Sequence, residues 1–474
     1  MNAKSSDMTC TLAPAAANRD AEQAGSATAP VSPTERFATL DVLRGAALLG
    51  ILMINIQIFS GSPVVTFNIP LRVATQSGAS PLLDTAAMTL QWLVFEGKMR
   101  ALFSILYGAG AMLLLDRLEQ RQGAGRAADI FHRRNMWLLL FGMIHGALIW
   151  SGDVLFFYAS LSLLALYPIR HLSGRRLIQL GIPLALVGGT FGICNFLDIG
   201  TAATTARLEE TAQDAINEGA KPSVVASQAL AKARMARARQ VASLATPWPA
   251  PLSYLANLPG NAAGYRGFVT AIFSAGWVLE TLGLLIAGMG LLKSGFLTGR
   301  LPTSAYVTTA AAGYAISIPV VLAGLAHSSR YGFSSTVTTV WMMLPYEFQT
   351  IPAALAHAAL IVLIVKHDRL RALQRGLAAV GRMALTNYIL TSIVCQGLFV
   401  WFGILPYGGL DHYQLILIAL GIWVLNVVVS LGWLRLFAFG PLEWIWRSLT
   451  YWKAQPVLAR KPTTLAPCPR LRGA

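Results

Sequence analysis

Apolar runs long enough to cross a bilayer return again and again along this chain, and that recurrence constrains the fold more than any other feature. About 20 helical residues rise roughly 30 Å, the thickness of one hydrocarbon core. The first run is Leu40 to Phe59, broken by charge only at Asp41 and Arg44 near its start. Others follow at 101–115, 135–150, 153–168, 177–198, 267–291, 304–326, 338–365, 384–403 and 413–439. In lipid every backbone N–H and C=O must be satisfied within the protein, which leaves helices as the solution for runs of this length. The expectation is an all-α, polytopic membrane helical bundle of about ten transmembrane helices. Residues 82–97 form a weaker, amphipathic run that packs on the first helices or re-enters the membrane.

Composition agrees and excludes alternatives. Apolar residues make up 55% of the chain and charged ones 12%, against about 25% charged in soluble domains. A cytosolic enzyme, a disordered chain and a disulfide scaffold are therefore not expected. Cys10, Cys194, Cys395 and Cys468 lie far apart with no ligand spacing, so no metal site is expected. The formal net charge is +16, but the basic residues fall in loops between runs. They do not form an aromatic-interleaved patch, and no nucleic-acid partner is expected. There is no P-loop, dinucleotide fingerprint, zinc-protease helix or nucleophile elbow, and no internal repeat of the kind many transporters carry.

Loop charge orients the bundle. Arg117, Arg121, Arg126, Arg133 and Arg134 lie in 116–134, and Arg170, Arg175 and Arg176 in 168–177. Lys293 and Arg300 lie in 292–303, and Lys366, Arg369, Arg371, Arg375 and Arg382 in 366–382. The alternating short loops 151–152, 327–337 and 404–412 hold only Arg330. By the positive-inside rule the basic set and both termini are cytoplasmic. Residues 1–36 read as a disordered tail, without a signal-peptide core. Two blocks of membrane helices, 37–198 and 267–453, then flank an extracytoplasmic polar helical insert at 199–266, and 454–474 form a second tail. The insert is acidic early and basic late; it reads as a solvated hairpin, or else as a docking surface over an outward-facing site.

Ionisable groups within spans cost about 2.5–3.5 kcal/mol on insertion scales, so chemistry is sought there. Asp41 and Arg44 share a helical face, and Asn55 lies eleven residues beyond Arg44 on nearly the same face. Glu96, Lys98 and Arg100 cluster where the chain enters the second span; they also suit an interfacial anchor. His145 sits eleven residues after Arg134, and a bend at Ser151-Gly152 can return Asp153 toward it. A carboxylate fixing one imidazole nitrogen leaves the other as a general base near neutral pH; a backbone-bonded core histidine is the alternative. Glu280, Glu347 and His357 are isolated in later spans, as relay groups or ordinary interhelical partners. Arg382, Asn387 and Tyr388 lie toward the cytoplasmic end of the ninth span, and Glu443 and Arg447 form an i,i+4 pair.

At LDVLRG (40–45) with Asn55, EGKMRALFSILYGAG (96–110), IHGALIWSGDVLFFYA (144–159), GRMALTNYILTS (381–392) and GPLEWIWRSLTY (440–451), the chain resembles the bacterial YeiB-like inner-membrane proteins, a domain of unknown function numbered 418. That family is more distantly similar to multispanning acyltransferases. These include the acyltransferase-three proteins that acetylate surface glycans and the lysosomal heparan-glucosaminide acetyltransferase.

The resemblance implies transfer of an acyl group from cytosolic acyl-CoA to an envelope glycan or lipid acceptor, by a membrane-bound O- or N-acyltransferase of the bacterial inner membrane. In the acyltransferase-three pattern a His follows an Arg in the first helix. Here Arg44 has that place, but Asn55 stands at the His position, as in the lysosomal type. His145, oriented by Asp153, is then the expected base, with Asn55 donating to the oxyanion. Asp41, Arg44, Glu96, Lys98, Arg100, Arg134, Glu347, Arg382 and Asn387 are the expected substrate-binding residues, the arginines holding the phosphates of the donor. No metal is implied, and a homo-oligomer is compatible. The alternative from the polar residues alone is a transporter for a small solute or lipid.

Overall fold

The computed structural model describes residues 38–61, 80–245 and 253–459. Among them the chain is helical, with a single isolated bridge between Phe437 and Leu458. The helices are α1 (Ala38–Ser60), α2 (Pro81–Val94), α3 (Lys98–Gln122), α4 (Ala124–Ile144), α5 (Leu155–Leu161), α6 (Gly174–Phe196), α7 (Ile199–Asn217), α8 (Val224–Ala245), α9 (Tyr254–Ala275) and α10 (Val278–Lys293). They continue as α11 (Thr303–Arg330), α12 (Ser335–Thr338), α13 (Tyr346–Lys366), α14 (Arg371–Arg382), α15 (Ala384–Gln396), α16 (His412–Leu436) and α17 (Pro441–Tyr451).

By length and composition seven helices can cross a bilayer, or eight if the pair α9–α10, bent by 77°, counts as one span. Two of the ten expected runs account for the difference. Run 135–150 is the apolar half of α4, whose first half carries Arg126, Arg133 and Arg134. Run 153–168 is the short apolar stretch Leu155–Ile169, about 22 Å at 1.5 Å per residue. Both are helical; neither alone meets the length and hydropathy of a span.

α1 is the axis of the bundle. It touches α3, α13, α14, α15 and α16, and 67% of its apolar window is buried, against 28% for α11 and α16 on the periphery. Lipid offers no hydrophobic drive between helices, so small residues that admit close backbone contact do the joining. A Cβ at Gly108 would collide with the Leu285 carbonyl, and one at Gly288 with that of Ile105, which locks α3 to α10. Gly45 and Gly381 serve α1 and α14 in the same way, against the carbonyls of Leu377 and Asp41. That second contact draws Arg382, at the end of an amphipathic helix, to the start of α1.

The amphipathic run at 82–97 is α2, packed against α11 and α16 and tied to α1 by the Gln91 amide donating to the Met53 carbonyl at 3.0 Å. The insert is a hairpin of α7 and α8, but its acidic face is docked. Ser334 and Thr336 donate to Glu209 at 2.6 and 2.7 Å, and Tyr331 to Asp214 at 3.0 Å. Glu210 takes His327 at 2.9 Å and Trp341 at 3.1 Å. Burial pushes the Glu209 carboxyl above its ordinary range. The tail expected at 1–36 lies outside the described residues, as do 460–474. Residues 454–459 are structured: Ala438 and Ala459 donate backbone bonds at 3.0 Å that lay this stretch beside 436–438.

Candidate active site

The last turn of α4 widens into a π-turn, His145–Ile149, closed by the Trp150 N–H donating to the His145 carbonyl at 2.9 Å. Such bulges re-aim side chains and recur at functional sites. The chain then bends through Ser151-Gly152, and Asp153 comes back to His145. His145 Nδ1 is 2.9 Å from Asp153 Oδ1, and Asp153 Oδ2 accepts the Phe156 N–H at 2.8 Å in the first turn of α5. The other imidazole nitrogen, Nε2, is 3.0 Å from Ser392 Oγ on α15. All three are buried, at 1%, 0% and 2% exposure. Tyr388, one turn before Ser392, packs its ring 4.9 Å from the imidazole and accepts the Val154 N–H at 3.3 Å.

Gly142 makes this approach possible. A Cβ there would collide with the Phe156 nitrogen and stand 2.8 Å from Asp153 Oδ2. Both neighbours are fixed by their own hydrogen bond, so neither can yield. Gly142→Ala is expected to destabilise the protein by about 1–3 kcal/mol, read as a lower melting temperature of the purified chain. An unchanged melting temperature would mean that the α4–α5 contact is slack.

Tyr388 has a second face. With Leu138 and Leu155 it closes the inner end of a cavity of about 260 Å³ that runs toward the basic loops. Its mouth holds Arg44, Arg117, Arg134, Arg382 and Arg447 against two carboxylates, Asp41 and Glu443. Asp41 pairs with Arg44 at 3.2 Å. Glu443 is occupied as the cap of α15: it accepts Leu385 and Thr386 N–H at 2.7 and 3.1 Å and the Thr386 hydroxyl at 2.6 Å. Burial raises its carboxyl above the ordinary range, against the pull of those bonds. The Arg134 guanidinium lies flat on Trp446, 3.6 Å from the ring centroid, and the Trp446 indole donates to the Arg134 carbonyl at 2.9 Å. Stacking of this kind holds a guanidinium plane in place. An arginine-rich mouth on an apolar, tyrosine-closed end suits a ligand with an anionic head and an uncharged reactive tail.

The expected substrate-binding residues divide. Asp41, Arg44, Arg134 and Arg382 line the cavity. Glu96, Lys98, Arg100 and Glu347 build a second, separate cluster. There Arg100 donates to Glu280 at 2.6 Å, Tyr346 to Glu96 at 2.8 Å, and Lys98 to the Trp92 carbonyl at 2.8 Å. Gly97 turns the chain between α2 and α3 at φ 70°, with the Tyr346 hydroxyl where a Cβ would be, at 2.6 Å. Glu347 is fully buried, and among the described residues neither of its oxygens has a hydrogen-bond partner. Arg100 and Tyr107 lie two turns apart on one face of α3, about 10 Å along the axis. Ser104 between them meets the Tyr158 hydroxyl at 2.9 Å, so a polar row links the two regions.

Asn387 does neither job: its amide donates to Ser430 at 2.8 Å and to the Val380 carbonyl at 3.2 Å, which joins α15 to α16 and α14. Asn55 is half-buried on the far half of α1 and joins neither the cavity nor the His145 network. Sequence reasoning passed over Ser392, although it closes the GRMALTNYILTS motif, and the cavity residue Tyr107; it read Arg117 as a loop charge and Arg447 as the i,i+4 partner of Glu443, not as cavity residues.

Residues 291–453, which carry Tyr388, Ser392 and the α15 cap, match the family model described as a protein of unknown function, DUF418. Over 428 residues the chain is 29% identical to the uncharacterized protein YeiB of Escherichia coli strain K12, covering 90% of this chain and 99% of that one. The chain is thus similar to YeiB over most of its length and carries the DUF418 match in its C-terminal part. It is also 28% identical to the uncharacterized protein YxaH of Bacillus subtilis strain 168, over 90% of this chain and 97% of the relative. An uncharacterized 39.9 kDa protein in the amylase 3' region of Bacillus acidopullulyticus is 27% identical over 91% of this chain and 99% of its own. The likeness to these relatives covers about nine tenths of the chain. No solved structure gives a significant match.

Proposed function

We propose that this protein is a membrane acyltransferase of the bacterial inner membrane. It takes an acyl group from acyl-CoA at the basic, cytoplasmic face and passes it to a hydroxyl or amine of an envelope glycan or lipid. The observation that carries the reading is the position of Tyr388, which lines the arginine-rich cavity and packs its ring against the His145 imidazole, itself outside the lining. The arginines would hold the phosphates of the donor through charge-assisted bonds. The apolar end, lined by Leu138, Leu155 and Tyr388, would admit the uncharged thioester arm. Asp153 holds the imidazole in the tautomer whose Nε2 is a base and stabilises the imidazolium when it takes a proton.

The test is turnover. Purified protein in lipid nanodiscs is incubated with acetyl-CoA and fractionated envelope glycans and lipids. The expected result is release of free CoA, with acetyl groups found by mass spectrometry on an acceptor. No CoA release with any fraction would contradict it.

The second cluster favours a different reading, transport of a small solute. Glu347, the Glu280 Oε1 atom, the Arg100 Nη2 atom and the Thr350 hydroxyl are buried without partners among the described residues. Unsatisfied ionisable groups in a span commonly mark an ion or proton path. Solute uptake into proteoliposomes with no covalent change would favour this reading over acyl transfer.

A further inference from the structure

We infer that Ser392 is the nucleophile of the transfer and carries the acyl group as an ester between donor and acceptor. The inference rests on the acyl-transfer reading. Three side chains that are remote in sequence form one hydrogen-bonded line: Asp153 Oδ1 to His145 Nδ1 at 2.9 Å, and His145 Nε2 to Ser392 Oγ at 3.0 Å. A base that acted directly on a bound acceptor would turn its free nitrogen toward the cavity. Here Nε2 faces a hydroxyl of the protein itself.

The direction of the second bond follows from the first. With the Asp153 carboxylate accepting the Nδ1 proton, Nε2 of the neutral ring is an acceptor, and the Ser392 hydroxyl donates to it. The competing acceptor is the Tyr388 carbonyl at 3.3 Å, the ordinary back-bond of a helical serine. It is the longer of the two, and taking it would leave Nε2 without a donor in a buried site. A nucleophile, a base in contact with it and a carboxylate that orients the base are the parts of an acyl-transferring serine centre. Tyr388 and Ser392 are one turn apart on α15, so the hydroxyl lies about 6 Å along the helix from the residue that closes the cavity.

The chemistry balances in two halves. In the first, Ser392 Oγ attacks the thioester carbonyl carbon of acyl-CoA as its proton passes to His145 Nε2. The C–O bond forms, the C–S bond breaks, and the departing CoA sulfur takes the proton from the imidazolium. In the second, an acceptor hydroxyl or amine gives its proton to Nε2 and attacks the Ser392 ester. Ser392 Oγ leaves and recovers that proton. Donor and acceptor need not be bound at once, so an acyl group can be loaded from the basic face and discharged toward the other without CoA crossing the membrane.

The full-length protein in nanodiscs, given acetyl-CoA labelled in its acetyl group and no acceptor, is quenched in acid and digested for peptide mass spectrometry. The expected result is label on the peptide carrying Ser392, cleaved by alkaline hydroxylamine, with one free CoA per labelled site. In Ser392→Ala, label is expected to be absent and transfer to an acceptor to fall about 10³-fold or more, at an unchanged melting temperature. A Ser392→Ala protein that transfers at the wild-type rate, or label on another residue, overturns the nucleophile and leaves acyl transfer standing. Wild-type protein that releases no CoA with or without acceptors overturns both.

Discussion

Asp153→Asn is expected to lower acyl transfer by up to about 10⁴-fold while leaving the fold intact. The carboxylate has two acceptor oxygens in use, Oδ1 on the imidazole and Oδ2 on the Phe156 N–H. An amide has one. If its oxygen serves Phe156, its NH₂ faces Nδ1 and forces the proton onto Nε2, where it blocks uptake from Ser392. If its oxygen serves the imidazole, the NH₂ points at the Phe156 N–H, donor against donor, and the start of α5 must give way. His145→Ala removes the base altogether, with an expected loss of about 10²–10⁴-fold. Both are read as CoA release under saturating acetyl-CoA. Melting temperatures close to wild type would place the loss in chemistry. Transfer at the wild-type rate in His145→Ala would remove this residue from the mechanism.

The second large effect is on stability. Arg100→Leu takes away the partner of fully buried Glu280, 2.6 Å from the guanidinium, and leaves Glu96, Glu280 and Glu347 with Lys98 as the cation of the cluster. Breaking a fully buried pair by removing one member costs about 3–5 kcal/mol, because a charge is left without compensation in low dielectric; with the Arg100 side chain 30% exposed, the lower end of that range is expected. Replacing both members by apolar residues of similar volume often costs little. Arg100→Leu is therefore expected to melt far below wild type in detergent, and Arg100→Leu with Glu280→Leu to recover most of the difference. Equal melting of the single variant and the wild type would mean that the cluster is wet and the pair screened.

What the sequence made legible follows from the range of each interaction. The helices could be read because spanning length and apolarity are local properties. The His145–Asp153 pair could be read because only eight residues and a Ser-Gly bend separate its members. Ser392 could not: it lies 247 residues from His145, and a serine one turn after Tyr388 looks like any helical serine bonded to its own backbone. The cavity arginines were hidden for another reason. Arg117 and Arg447 resemble the many basic residues that merely orient loops, and only the close packing at Gly45 and Gly381 shows that α14 lies against the start of α1. Asn55 misled because it shares a helical face with Arg44. The two residues are eleven positions apart, about 16 Å along α1, and the cavity ends before reaching it. The count of spans erred where a run was apolar but short, at Leu155–Ile169, or joined to a basic half-helix, at α4.

The proposed chemistry requires an acyl thioester to bind in the arginine-lined cavity with its reactive end against Tyr388. An electron density map of the protein with CoA bound decides this. The expected map has the phosphates among Arg134, Arg382 and Arg447 and the thiol end beside Tyr388, within reach of the His145–Ser392 pair. CoA on the opposite face, or a cavity filled by lipid at saturating CoA, would contradict it.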